Sequence, residues 1–205
     1  MLMDYQTLLD RILDAVDKKA YFTPTAHRKA SKGDHALPRL DALLAAPGFD
    51  PDEVRTYIHA EYQAGNINRV LMLSALHMVA CHPGVAEWEE AARLAGEQEL
   101  AALELGGPDL DANLASVDRH RGVLAFLKGH YDVALDYFAR AFERERSPEN
   151  FTNILATMLR LGEEDEANDL LRDVEQAFPA ALIREIRRNI DHDPDLALLR
   201  SGDHP

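Results

Sequence analysis

A 33-residue period in the second half of the chain limits its possible folds more than any other feature. Gly129 to Gly162 spans 33 residues, and Ala134 to Ala167 spans the same 33. A glycine ends one helix and an alanine lets the next cross its neighbour closely, so two landmarks sharing one period mean one helix–turn–helix unit used twice. The stretch from Gly129 to Ala141 sets the pattern: turn glycine, Tyr131 two on, Ala134, Phe138, then Ala141. Upstream, Gly122 and Ala125 hold two small-residue positions for close helix contact. The next unit runs Phe151, Ile154, Met158, Gly162, Ala167, Leu171, Val174 and a terminating Pro179. Ala134 and Ala167 belong at helix crossings, with Phe138 and Leu171 filling the adjacent gaps. A helix pair of this kind cannot bury its face alone and stacks on a neighbour.

In the rest of the chain apolar residues recur at helical spacing, without a repeat register fixed through 84–116. Tyr5, Leu8, Leu9, Ile12, Leu13 and Val16 fall on one face of a helix, opposite Asp10, Asp14 and Asp17. Asp50-Pro51-Asp52-Glu53 is a helix start, and Gly65-Asn66 an end. Further helices are expected near 38–46, 67–81, 85–105, 110–128, 131–146, 149–161, 164–177 and 180–190, with a short one after Pro194. No alternating run bounded by turn residues suggests a strand, so the chain reads as all-α with antiparallel hairpins in series. Lys18 to Lys32 breaks the pattern, with five Lys or Arg, no acid and Pro24, and reads as a basic loop.

The residues from Gly122 to Pro179 resemble the tetratricopeptide repeat. The resemblance is clearest over about residues 115–181 and extends more weakly to 51, where Val54, Tyr57, Gly65, Ile67 and Val70 keep the landmarks while Ser74 and His77 replace an aromatic and an alanine. It implies a right-handed solenoid over 51–205, preceded by an N-terminal helical extension over 1–50. It also implies a concave face lined by the first helix of each pair, which in that family often receives an extended peptide. Carried over by position, that face holds Arg119, His120, Val123, Phe126, Asn153, Ala156, Leu159, Arg160 and Arg187. Arg119, Asn153 and Arg187 stand at places where some members clamp a partner's terminal carboxylate; Val123 and Ile183 stand where that clamp has asparagine and lysine.

Charge and motif chemistry narrow the function. The formal net charge is −14, a field that repels a polyanion, so no nucleic-acid partner is expected. No segment approaches the roughly 20 apolar residues that cross a bilayer, and no membrane partner is expected. A single cysteine, Cys81, excludes an intramolecular disulfide and a multi-thiolate zinc site. With no basic, apolar leader at Met1–Tyr5, the chain reads as cytoplasmic. Residues 84–118 hold nine acids against Arg93 alone, and Glu163-Glu164-Asp165-Glu166 opens another helix where carboxylates meet the macrodipole.

The sequence contains no phosphate loop, dinucleotide fingerprint or nucleophile elbow. His77 and His82 are five apart and fall on different helix faces, so they do not form a helical metal pair. The expectation is a non-catalytic scaffold or adaptor with no metal or cofactor, binding a protein or peptide and open to self-association. Two other classes stand beside it: a chaperone holding a partner for secretion or assembly, and a small-ligand sensor or a metal- or thiol-dependent enzyme using Cys81-His82.

Overall fold

Helix start and stop signals set the elements of this protein. The computed structural model describes residues 4–17 and 37–200, and among them there are helices and no strand. In chain order they are α1 (Tyr5–Asp17), α2 (Leu40–Leu44), α3 (Pro51–Gln63), α4 (Arg69–Cys81), α5 (Trp88–Leu105), α6 (Leu110–Leu127), α7 (Tyr131–Arg144), α8 (Pro148–Leu161), α9 (Glu164–Ala177) and α10 (Ala180–His192). A 3-10 turn, Pro194–Leu199, follows. The basic stretch Lys18–Lys32 lies outside the described residues.

Capping explains the boundaries. Asp50 accepts the amide of Asp52 at 2.9 Å and leaves Pro51 in the first turn of α3, satisfying an amide that the helix cannot. Asn68 does the same for Leu71 at the start of α4 (2.9 Å), and Ser147 for Asn150 at the start of α8 (3.1 Å). At the other ends, three glycines close helices identically. His130 and Gly129 donate to the carbonyls of Ala125 and Phe126 (both 2.9 Å), and Glu163 and Gly162 to those of Met158 and Leu159 (3.0 and 3.2 Å). Asn66 and Gly65 donate to Glu61 and Tyr62 at 3.0 Å each. The φ angles of Gly65, Gly129 and Gly162 are 73°, 75° and 82°, the left-handed conformation this double bond requires and glycine adopts without strain.

Contacts divide the chain into two compact units, one made of α1 with the chain from Ala125 on, the other ending at Leu124. In the first of these, α1 packs on α7 and α9, where Leu8 and Ile12 are each only 1 % exposed. Arg11 adds ion pairs to Asp136 (3.1 Å) and Glu143 (2.5 Å) of α7. Within this unit α8 packs against α7, α9 and α10. Ala134, Ala141, Phe151 and Ala167 are fully buried, and Phe138 and Leu171 nearly so. Tyr131 lies edge-on to Phe126, and Pro179 stands at the boundary where α9 gives way to α10. At the start of α9, burial and the neighbouring Glu166 push the Glu163 carboxyl upward.

In the other unit α4 packs between α3 and α5. Val54, Ile58, Ala75 and Val79 form one apolar cluster. Leu73, Ala91, Leu94, Ala102 and Leu124 form a second, with Trp88 half-buried against it. The helix expected from Val85 begins three residues later, because Glu87 turns back to donate to the Ala80 carbonyl at 2.9 Å.

Candidate functional site

The expected binding residues fall in both units. From Ala125 onward, Phe126, Asn153 and Leu159 are half-buried, Arg160 is exposed, and Ala156 is 9 % exposed. Arg160 lies over the Phe126 ring, 5.9 Å from its centroid, and its guanidinium donates to Asp195 at 2.7 Å. Arg187, half-buried on α10, donates to the Glu175 carboxylate at 2.5 Å and to the Leu199 carbonyl at 3.4 Å. Two of the arginines assigned to a partner therefore already hold groups of this chain. Both acceptors beyond α10, Asp195 and Leu199, belong to the turn Pro194–Leu199.

In the other unit, Arg119 and Val123 are half-buried on α6, and His120 is 6 % exposed. His120 does not line an open face. It lies inside, where α4, α5 and α6 bring a polar network together. The amide of Gln98, itself fully buried, donates to Ser116 Oγ at 3.3 Å and offers its oxygen to His120 Nδ1 at 2.7 Å. An amide oxygen only accepts, so Nδ1 carries the proton, and His120 Nε2 is left to accept the Ser74 hydroxyl at 3.4 Å. Against one face of this ring the buried His77 stacks at 4.3 Å between centroids, 13° from parallel.

Electrostatics keep the network neutral. Burial holds His77 down to about 4. Burial first, then the neighbouring His77 and Arg119, keeps His120 well below the ordinary histidine range. Neutral rings stack without repulsion, and every polar atom of the chain Ser116–Gln98–His120–Ser74 that faces inward has a partner, which is the condition for burying it.

Cys81 sits beside this network and not in a thiol pair with His82. Its sulfur lies 3.7 Å from His77 Nε2, one helical turn back, and burial raises the thiol to about 11. At neutral pH it is protonated, which removes the thiolate that nucleophilic chemistry needs. His82 ends α4 in an extended conformation, lies tilted against Phe49 with ring centroids 3.9 Å apart and accepts the Gly84 amide at 3.1 Å. Among the described residues no group of three His, Cys, Asp or Glu side chains is placed to hold a metal, and no helix is long and apolar enough to cross a membrane. A depression of about 250 Å³ opens between α3, α4 and α5, lined in part by Arg55, His59, Leu76 and Arg93. Its cations are matched by carboxylates: Arg55 pairs with Glu87 at 2.5 Å and Arg93 with Glu90 and Glu97.

No family model, curated protein or solved structure matches this chain.

The network and the arginine partners differ in how far the residues announced them. Ser74 and His77 stand where the repeat pattern calls for an aromatic and an alanine, and both departures turn out to face His120. A polar residue at a core position of a repeat is thus the available signal. Gln98 gave none, since it sits in a helix rich in acids and reads as part of a solvated face. The grip of Arg160 and Arg187 on residues 195 and 199 required the path of the chain after α10.

Proposed function

We propose that this protein is a non-catalytic interaction module whose helix pairs are arranged like tetratricopeptide repeats and bind a protein or peptide along the first helices of the pairs. The observation that carries the reading is the repetition of one closed unit. Gly129 and Gly162, 33 residues apart, end α6 and α8 with the same pair of backbone bonds, and the alanines five residues on are both fully buried. Gly65 ends α3 in the same way. Units that repeat and bury small residues at their crossings form preformed surfaces, and a preformed surface binds a peptide with little ordering of its own. On α8 and α10 that surface offers Asn153, Leu159, Arg160 and Arg187, a combination of apolar contact and donors that suits a peptide backbone and its carboxylates.

The test is affinity purification from the native cell with this protein as bait, beside a variant carrying Phe126→Ala and Asn153→Ala. The expected result is a partner recovered by the wild type and lost by the variant while its helical circular dichroism is retained. A partner recovered equally by both would overturn the location of the surface.

A further inference from the structure

The turn Pro194–Leu199 packs on both α8 and α10. It meets them through four groups. The Asp195 carboxylate accepts from Arg160 at 2.7 Å, and the Leu199 carbonyl accepts from Arg187 at 3.4 Å. Leu196 and Leu199, three residues apart, are 0 % and 3 % exposed. Pro194, Asp195, Ala197 and Leu198 remain exposed. One carboxylate, one backbone carbonyl and two apolar anchors on a single turn are the means by which a short peptide ligand is held: the polar contacts fix its direction and the leucines fill the surface.

Charge on the surface matches this occupant. In a chain of formal charge −14, the two side chains that meet the turn, Arg160 of α8 and Arg187 of α10, are both cationic. The hold is also narrow. Ordering six residues into one 3-10 turn costs backbone freedom, which two buried leucines offset only in part. The Arg160–Asp195 pair, with side chains 49 % and 43 % exposed, adds little. The remaining bonds, from Arg200 to the carbonyls of Ile190 (3.2 Å) and Asp193 (3.0 Å) and from the Asp195 amide to the Asp193 carboxylate (2.9 Å), tie the segment to the end of α10 and not to α8.

We propose that the α8–α10 surface is the receptor for a partner peptide with the chemistry Asp-Leu-x-x-Leu, and that the chain's own Asp195-Leu196-Ala197-Leu198-Leu199 occupies it until such a partner displaces it. This rests on the peptide-binding reading above and adds to it the ligand class and a built-in competitor. An intramolecular ligand lowers the apparent affinity for an external one by the fraction of time it leaves the surface open.

The experiment measures fluorescence anisotropy of a labelled peptide with the sequence of Asp193 to Arg200, titrated with the full chain. Three proteins are compared: wild type, a released chain with Leu196→Ala and Leu199→Ala, and the released chain with Arg160→Ala added. The expected result is about tenfold tighter binding by the released chain than by the wild type, corresponding to a surface open about a tenth of the time, and a partial loss of that gain, about two- to fivefold, on adding Arg160→Ala. Equal affinities for wild type and released chain would overturn the proposal, as would absence of binding to a released chain with wild-type helical content. If the released chain does not fold, hydrogen exchange of the wild type decides: excess peptide should speed exchange at the amides of Leu196 and Leu199, and unchanged exchange would overturn the proposal. Failure of the peptide while partner capture still depends on Phe126 and Asn153 removes this inference alone. Peptide binding as expected, with capture insensitive to those two residues, supports this inference and removes the earlier placement of the partner.

Discussion

The imidazole of His77 lies against that of His120, centroids 4.3 Å apart and planes 13° from parallel, with Gln98 fixing the second ring at 2.7 Å. The pair makes the protein's stability depend on pH in a window set by His77. Folded, His77 titrates near 4; unfolded, near 6.5. Between these values the unfolded chain binds the proton and the folded chain does not, so stability is full above 6.5 and falls as pH drops toward 4. At 1.36 kcal/mol per unit, His77 alone removes about 2 kcal/mol between pH 7 and pH 5. His120 shifts in the same direction and steepens the fall. Urea unfolding at pH 7, 6 and 5 measures it; a midpoint constant over that range would show that the histidines are not buried as neutral rings.

Gln98 is the connector of the network and is fully buried. Gln98→Leu keeps most of its volume but leaves the His120 Nδ1 proton without an acceptor and Ser116 without its donor. An unsatisfied buried group costs about 1–3 kcal/mol, so the variant should unfold at a correspondingly lower urea concentration. A stability equal to wild type would mean that water reaches His120.

Gly162 sits at φ 82° with nothing within 4 Å of an added Cβ. Gly162→Ala therefore meets no neighbour, and its whole effect is the left-handed backbone, about 1–2 kcal/mol for an L-residue. Gly162→Asn should cost less, since asparagine tolerates this region. Thermal unfolding of both variants gives the order directly, and the reverse order would contradict the turn geometry.

How much could be read from the residues depended on whether a feature was local. Helix ends were legible where Asp50 and the glycines act within a few positions of themselves. The packing of α1 on α7 and α9 was not, because an amphipathic face says that something covers it and not what. The same limit applies to the site. The clamp-like Arg187 and the face residue Arg160 were legible by position in a repeat, while their ligands at 199 and 195 depended on a chain path through a 3-10 turn. His120, chosen for an open face, sits inside because Ser74, His77 and Gln98 supply a polar environment contributed by two other helices.

Ala134 is fully buried in α7 and tests the repeat register. Ala134→Leu adds three heavy atoms where there is no room, and overpacking of this kind costs about 1–3 kcal/mol. Val133, one residue away and 44 % exposed, is the control: Val133→Leu should change stability by less than about 0.5 kcal/mol. Comparable losses at both positions would place the alanine away from a crossing.

The last prediction concerns what attaches α1. Its apolar face and its ion pairs both reach α7, but their strengths differ. Ile12 is 1 % exposed, and Ile12→Ala removes buried methyl groups from a packed site, a loss of about 2–5 kcal/mol. Arg11 bridges Asp136 and Glu143 with its side chain 23 % exposed, and pairs near solvent contribute about 0.2–1 kcal/mol each, less in salt. Urea unfolding of Ile12→Ala and Arg11→Ala, at low and high salt, separates the two. The larger loss should come from Ile12 and be indifferent to salt, and the smaller one from Arg11 should shrink as salt is added. If Ile12→Ala leaves the midpoint unchanged, α1 is not part of the core formed with α7 and α9, and its apolar face is free to pair with a second copy of the chain.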